Sequence, residues 1–574
     1  MSFRVLFSLT LLCSAALGEN LHWNLGLTTW LGRGDQNGQT YDYTENYLSL
    51  NADRGALSGR MELEYSDPPE FGYSLQGLRR IWLQYYGEHL VLEAGDIGAV
   101  FGRGLALNLY EDQAIDFDNI PRGIRLNLTL GDALQIDALA GVKEDYRFYS
   151  PSSPQREPDG ENDFKLAGVQ VTGSGSNGMF SSSPYLVASE LASDFRWTTL
   201  DPSSVSLVTQ TVSQTMRSLQ AGWAQAIYGG NWDLFVDATL LEKGLDYPSV
   251  DTEQEQLDDG AYLRILDSRD RISGNGLYAQ FNWFPEWFTA MVEYHRYAFG
   301  REGSADKGNP YLQATKPLPW QLGPTTIRQH DISLLANVTH PIDYGDDVGL
   351  TLELKRYFGF AWALTLNGSF TSQLDRLGQS DGEGLYLPSS QVDHNPWQEV
   401  YAELEYTSNS LTNRSFLART GSVISFEEYA EVKTHVTIVP AYLNWHPTDQ
   451  VSLSTVFEWQ QSSFRVEHYP TDGGVLNPDP GYDYFSSHLI LSADLLHRYS
   501  ASFIWDASDD PGLSTDDGAG TQNWLSYEIS VKPRDDLWLR ASYGDEKGGV
   551  RCTGGVCRVL QPFSGFRMSL EWRL

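Results

Sequence analysis

Phe566-Arg567-Met568-Ser569-Leu570-Glu571-Trp572-Arg573-Leu574 ends the chain in unbroken alternation of bulky apolar and polar residues. Successive side chains of a strand point to opposite faces. Phe566, Met568, Leu570, Trp572 and Leu574 therefore make one apolar face, and Arg567, Ser569, Glu571 and Arg573 make one polar face. A soluble sheet accepts that pattern, but it rarely leaves its most two-faced strand at the terminus. A transmembrane barrel demands it, because its last strand closes a wall with lipid on one side and a polar lumen on the other.

The same period of two recurs along the chain. Trp23, Leu25 and Leu27 alternate with Asn24, Gly26 and Thr28, and Trp232, Leu234, Val236, Ala238 and Leu240 alternate with Asp233, Asp237 and Thr239. Similar runs occupy 275–284, 397–407, 449–459, 484–494, 523–532 and 536–544. Each is about ten residues, the span of a tilted membrane strand. Short connectors such as Asp53-Arg54-Gly55, Gly131-Asp132 and Phe284-Pro285-Glu286 are interspersed with long polar ones near 143–163, 194–216, 242–273, 297–327, 372–395, 461–482 and 508–522. The pattern predicts an all-β chain forming one large transmembrane antiparallel β-barrel of roughly 24 to 26 strands, with short periplasmic turns and long extracellular loops. Turn parity breaks between 300 and 372. Either Thr351–Phe370 is a hairpin turning at Tyr357-Phe358-Gly359 with a further strand nearby, or one run is not a strand.

Composition and the N-terminal stretch agree with a secreted membrane protein. Arg4, the apolar run Val5 to Leu12 and the small residues Ser14 to Gly18 read as a signal peptide over residues 1–18, cleaved after Gly18. A lipoprotein would use Cys13, but Thr10-Leu11-Leu12 lacks the small residues expected before it. Residues 19–574 are then one barrel domain. No later stretch reaches the ~18 consecutive apolar residues of a membrane helix. A mean hydropathy of −0.36 suits a wall with one lipid face and polar loops. Seventeen Trp and 31 Tyr suit aromatic girdles at the two interfaces. The net charge of −35 excludes a nonspecific nucleic-acid binder; it fits solvated acidic loops, and also a cation-preferring pore. Cys13 departs with the leader, leaving Cys552 and Cys557. Their closeness in an oxidising compartment predicts a loop disulfide rather than a metal site, whose nearest further ligands are Asp545 and Glu546.

Residues 96–123 depart from the pattern. Phe101, Leu105, Leu107, Leu109 and Tyr110 make this loop-side connector more apolar than its neighbours. An apolar connector needs something to pack against. Two readings stay open. The segment folds into the barrel as a constriction, with Arg103, Tyr110, Glu111, Asp112 and Arg122 lining or pinning it; or it supplies two ordinary wall strands, Phe101–Tyr110 and Arg122–Leu130.

The run Phe101-Gly102-Arg103-Gly104-Leu105-Ala106-Leu107-Asn108-Leu109-Tyr110-Glu111-Asp112, followed by Arg122-Gly123-Ile124-Arg125-Leu126, resembles the most distinctive block of a porin-like family of uncharacterised bacterial outer-membrane proteins. Asn46-Tyr47-Leu48-Ser49-Leu50-Asn51 and Ala94-Gly95-Asp96-Ile97 fit it too, so the likeness covers about the first quarter of the chain. The resemblance implies a barrel in the outer membrane and carries no substrate or catalytic residue. The terminal strand also resembles the targeting strand of outer-membrane barrels, although that signal usually finishes in Phe or Trp and this one finishes in Leu574. The expected partners are therefore the outer-membrane bilayer and the barrel-assembly machinery.

Enzyme chemistry is not expected. No His-Glu-x-x-His or phosphate-cradling loop is present, and no cofactor is called for. His340-Pro341 and His446-Pro447 sit at turns. The acidic run Asp506 to Asp510 with Asp516-Asp517-Gly518 lacks the spacing of a Ca²⁺ loop. The functions left are a porin-like channel for small hydrophilic solutes, an energised importer, and a non-conducting adaptor barrel that docks a surface or periplasmic partner. An importer calls for a large N-terminal plug, whereas Leu21–Leu31 already reads as a strand after the leader.

Overall fold

The alternating runs form strands that hydrogen-bond into one antiparallel sheet of 24 strands. The computed structural model describes residues 21–36, 39–70, 72–148, 160–175, 178–201, 206–246, 271–300, 318–328, 334, 343–376, 384–408, 415–429, 432–466, 481–511, 520–553, 556–560 and 562–574. The leader, 1–18, and the acidic residues 516–518 lie outside the described residues.

The sheet closes on itself. The first strand, His22–Gln36, pairs with the last, Phe563–Arg573, setting Leu27 opposite Trp572 and Leu31 opposite Met568. Leu25 and Leu574 exchange backbone hydrogen bonds of 3.0 and 2.7 Å. Closure leaves no unpaired sheet edge, which hydrocarbon could not satisfy. Short connectors at 55–56, 131–133, 229–231, 359–361 and 535–536 mark one rim, and longer ones at 67–75, 97–121, 299–346, 373–396 and 547–562 mark the other.

One sequence expectation changes. The stretch 194–216 was expected as a polar loop, but strands Phe180–Asp201 and Ser206–Tyr228 pair as far as Asp201 opposite Ser206. Val208, Thr209, Thr211 and Val212 are β-branched, and their stiffness favours extended backbone even without an apolar face. Around residue 350, Asp347–Phe358 and Trp362–Ser372 form a hairpin, and the connector 299–346 before it restores the parity.

Alternation sorts the wall into two skins. Leu240, Val400 and Ile529 face outward and are 69, 62 and 58 % exposed, so this apolar skin needs a cover other than water. Exposed Trp283, Trp287, Tyr357, Phe358, Phe360 and Trp362 gather at the short-turn rim, where a membrane interface favours amphipathic rings. The inner skin carries Asp137, Gln170, Asp237, Thr239, Glu293, Thr351 and Glu458. The main apolar core lies inside the cylinder, between this skin and residues that leave the wall: Phe101, Leu105, Leu107 and Trp320 pack with Phe164, Tyr185, Val187 and Tyr278.

Candidate functional site

The wall strands Leu90–Asp96 and Arg122–Leu130 pair directly, with Asp96 opposite Arg122, so residues 97–121 are an excursion from the wall. Of the two ordinary strands weighed for this stretch, Arg122–Leu130 is one and Phe101–Tyr110 is not. Residues Ala99–Phe101 instead pair with Leu107–Leu109 in a short ribbon separate from the barrel sheet. The turn between them closes with the Gly104 N–H donating to the Phe101 carbonyl at 3.0 Å. Gly102 and Gly104 have φ of 61° and 92°, a region that side chains disfavour. A Cβ at Gly102 would enter the Asp237 carboxylate, and one at Gly104 would meet the Leu322 carbonyl. Asp237 accepts the Arg103 N–H at 2.9 Å and the Tyr185 hydroxyl at 2.6 Å, and Gln170 accepts the Gly102 N–H at 2.9 Å. The Phe-Gly-Arg-Gly run is thus a tight turn docked on the inner wall.

A second inward stretch, 318–328, completes the insert. The Asn108 N–H donates to the Trp320 carbonyl at 2.8 Å, and its side-chain amide to the Leu322 carbonyl at 3.0 Å. Asn119, fully buried, donates to the carbonyls of Asn108 at 2.7 Å and Pro319 at 3.1 Å, and accepts the Tyr110 N–H at 2.7 Å. A buried amide left unpaired would be costly, so these bonds fix the two segments together. Trp320 packs on Phe164 at a ring separation of 4.8 Å. Farther along, Leu334 packs with Tyr401, Val423, Val436 and Ile438 on another part of the wall, and its N–H donates to Glu458 at 2.5 Å. The described residues of this connector are therefore seated on two separate parts of the inner wall.

Charge pins the other end of the insert. In the strand Gln76–Tyr86 the register slips, so that Arg80 stands opposite Glu62 and Leu78 opposite Leu63. Arg79 is the extra residue, and this β-bulge turns two successive arginines toward the lumen. Arg79 pairs with Glu64 and Glu111; Arg80 reaches Glu111 at 3.0 Å and Asp118 at 2.7 Å, and Lys143 reaches Asp118 at 2.6 Å. Burial opposes ionisation of Glu111 and Asp118, but Arg79 and Arg80 beside Glu111, and Lys143 and Arg80 beside Asp118, outweigh it and hold both carboxyls below their usual range.

The five residues singled out from the sequence separate in space. Glu111 belongs to the arginine cluster. The Tyr110 ring packs on Phe117 at 4.9 Å, and its hydroxyl is buried without a hydrogen-bond partner among the described residues. Asp112 lies half-buried beside it. Arg103 is exposed at the turn, its guanidinium 4.4 Å from the Phe235 ring centre. Arg122 starts a wall strand, pairs with Asp96 at 3.3 Å, and stands on the opposite parity to Arg125, which donates to Gly98 of the insert. Asp237, Asn119, Arg79 and Trp320 were missed. The apolar Leu318-Pro319-Trp320 inside a polar connector was the available signal.

The wall from Tyr482 through the closing seam to Gln36 differs. Its lumen-facing residues include Ser492, hydrogen-bonded to Ser502 at 2.8 Å, and Glu528, paired with Arg540 at 3.4 Å, with Ser542, Ser569 and Glu571 beyond. No residue of these strands belongs to an apolar core cluster among the described residues. Cys552 and Cys557 stand opposite each other in a hairpin of Gly549–Thr553 with Val556–Leu560.

These features define a closed 24-strand antiparallel β-barrel whose own connectors partly fill its lumen. A family of unknown function, DUF6029, matches residues 28–154, a stretch that includes the Phe-Gly-Arg-Gly turn. No curated protein matches. Among solved structures, the chain is similar to a ferric enterobactin receptor mutant from Pseudomonas aeruginosa, with 12 % identity, 96 % of this chain and 80 % of that one covered, and a TM-score of 0.47. The siderophore receptor PirA from Pseudomonas aeruginosa gives 9 %, 96 %, 80 % and 0.44. The FrpB iron transporter from Neisseria meningitidis gives 11 %, 97 %, 82 % and 0.43. The barrel assignment rests on this chain's own strand register.

Proposed function

We propose that the protein is a porin-like channel of the bacterial outer membrane, passing small hydrophilic solutes with a preference for cations. The observation that carries this reading is the asymmetry of the lumen. The insert packs on apolar inner side chains such as Phe164, Val187 and Leu191, whereas the seam half presents serines and charges that water can wet. A solute passing there would meet Ser492, Ser502, Ser542 and Ser569, with the insert bounding the passage on the other side. The acidic balance of the chain favours cations near its mouths. Export through the leader and insertion by the barrel-assembly machinery belong to the same reading, as does a role without enzyme chemistry. Purified protein in a planar bilayer is expected to show discrete current steps and a reversal potential displaced toward the cation. Removing residues 98–120 should raise the step size. Silent bilayers with both proteins would end the channel reading.

The seating of Trp320 and of Leu334 on separate parts of the inner wall supports a second reading, a sealed adaptor barrel. It predicts that the intact chain is silent and that only the protein lacking 98–120 conducts.

A further inference from the structure

Arg122 faces out of the barrel, and two further cations share its row. Register sets Arg122 opposite Val142 of Leu134–Phe148, and Val142 opposite Lys165 of Gly160–Ser174. Lys165 in turn stands opposite Glu190, and Glu190 opposite Arg217. Toward the short-turn rim the outward positions are apolar: Ile124 and Leu126 below Arg122, Ala167 and Val169 below Lys165, Leu219 and Ala221 below Arg217. The row therefore borders the apolar skin on its long-connector side, where long cationic side chains reach headgroups. Arg122 pairs with Asp96 at 3.3 Å, and Glu190 pairs with Arg217 at 3.1 Å and Lys165 at 3.7 Å. The cations are the exposed members, at 54 % against 7 % for Asp96 and 67 % against 36 % for Glu190, so the charge presented outward is positive. At the seam the same border carries Asp35, Ser564 and Asp545 abreast. Directly below the cations, register sets Ile124, Ala140, Ala167, Ala188 and Leu219 side by side. Three exposed alanines between Ile124 and Leu219, which are 58 and 50 % exposed, make a trough in the apolar skin.

We propose that this outer face binds one phosphorylated, multiply acylated glycolipid of the outer leaflet, with its phosphates on Arg122, Lys165 and Arg217 and an acyl chain in the alanine trough. The inference rests on the outer-membrane placement in the reading above and not on conduction. Phosphate oxygens make strong charge-assisted bonds with guanidinium and ammonium groups. The cations stand on alternate strands, roughly 10 Å apart along the row. That spread suits a headgroup with two phosphates better than a lipid with one, and the trough calls for a hydrocarbon occupant. Glu144 and Asp163 stand exposed one step above the row, and Glu242 is exposed opposite Leu219. Carboxylates so placed share divalent ions with neighbouring phosphates, since such ions take oxygen ligands from both.

Native mass spectrometry of the full-length protein in detergent tests this, with purified lipid A carrying both phosphates as the probe. Heat-modifiable gel mobility identifies the folded barrels. One lipid A should stay bound per barrel, and the triple variant Arg122→Ala, Lys165→Ala, Arg217→Ala should weaken binding about tenfold. Lys165→Ala alone should cost about threefold, and it carries the test if the triple variant does not fold. Ala167→Trp fills the trough and keeps every charge, and it should cost about fivefold. Arg33→Ala, an outward cation paired with Asp42 elsewhere on the rim, should change nothing. Inorganic phosphate and phosphatidylglycerol, at equal phosphorus concentration, should not displace lipid A. Unchanged binding in the triple variant and in Lys165→Ala, or displacement by either competitor, overturns the site. If lipid A binds while planar bilayers stay silent, the channel reading fails and the site stands. A chain that does not fractionate with outer membranes removes both.

Discussion

The two halves of the inner wall share one strand pattern and differ in what their inward residues are. From Leu139 to Tyr297 the inward positions include Phe164, Leu166, Tyr185, Val187 and Tyr278, all buried beneath the insert. From Tyr482 through the seam to Gln36 they include Ser492, Ser502, Ser542 and Ser569. Alternation alone reads both halves as barrel wall. The size and polarity of the inward residue decides whether the lumen beside it holds protein or water, because an apolar side chain facing an aqueous lumen would lose its burial energy.

The comparison breaks most visibly at the apolar anchor. Phe101→Ala should weaken docking of the insert by about 3–5 kcal/mol. Proteolysis within 97–121, with the barrel itself still resistant, would register that loss; unchanged resistance would mean that Phe101 does not anchor the insert. Next in size is a charge placed on the outer skin of the polar half. Ile529→Arg should destabilise the barrel by about 2–4 kcal/mol in lipid, whereas Ser542→Arg, on the inward parity, should fold normally. Equal effects in denaturant titrations would contradict the assigned parity.

A smaller effect is expected at the ionic anchor. Glu111→Gln leaves Arg79 and Arg80 with Glu62, Glu64 and Asp118, so docking should fall by only about 1–2 kcal/mol. The same cluster sets a pH dependence. The folded carboxyls of Glu111 and Asp118 lie below their usual range, so their contribution is fully present above the unfolded values, about 4.3 and 3.9. It is lost as pH falls through the depressed folded values. Acid-stable protease cleavage of the insert should therefore stay constant from neutral pH down to about 5 and rise below about 4. Ser542→Leu, narrowing the wet half without disturbing the insert, should give the smallest change, a modest drop in step size.

Much of the wall was legible because its rule is local. The closing strand and the inward parity of Asp237 follow from period two; of the two readings left open around 351–370 the hairpin formed, its turn at 359–361 rather than 357–359. The rule misled at 194–216, where polar composition masked β-branched stiffness, and at Arg79-Arg80, where alternation assigns one arginine to each face and a bulge turns both inward. The apolar excess of 96–123 marked a segment needing a partner, but its partners are far along the chain, Pro319 lying 200 residues from Asn119. Arg122 was grouped with Arg103 by sequence nearness, yet one begins a wall strand and the other tips a turn.

The sequence by itself determined that alternate side chains would part into a lipid skin and a lumen skin, since strand geometry fixes that from neighbour to neighbour. Only the tertiary structure decided what the lumen contains. Gly102 needs its special backbone because Asp237 closes on it, and Asn119 is satisfied because Pro319 arrives from another connector. Such contacts depend on chain closure around the cylinder, which brings together residues whose spacing along the chain carries no periodic signal.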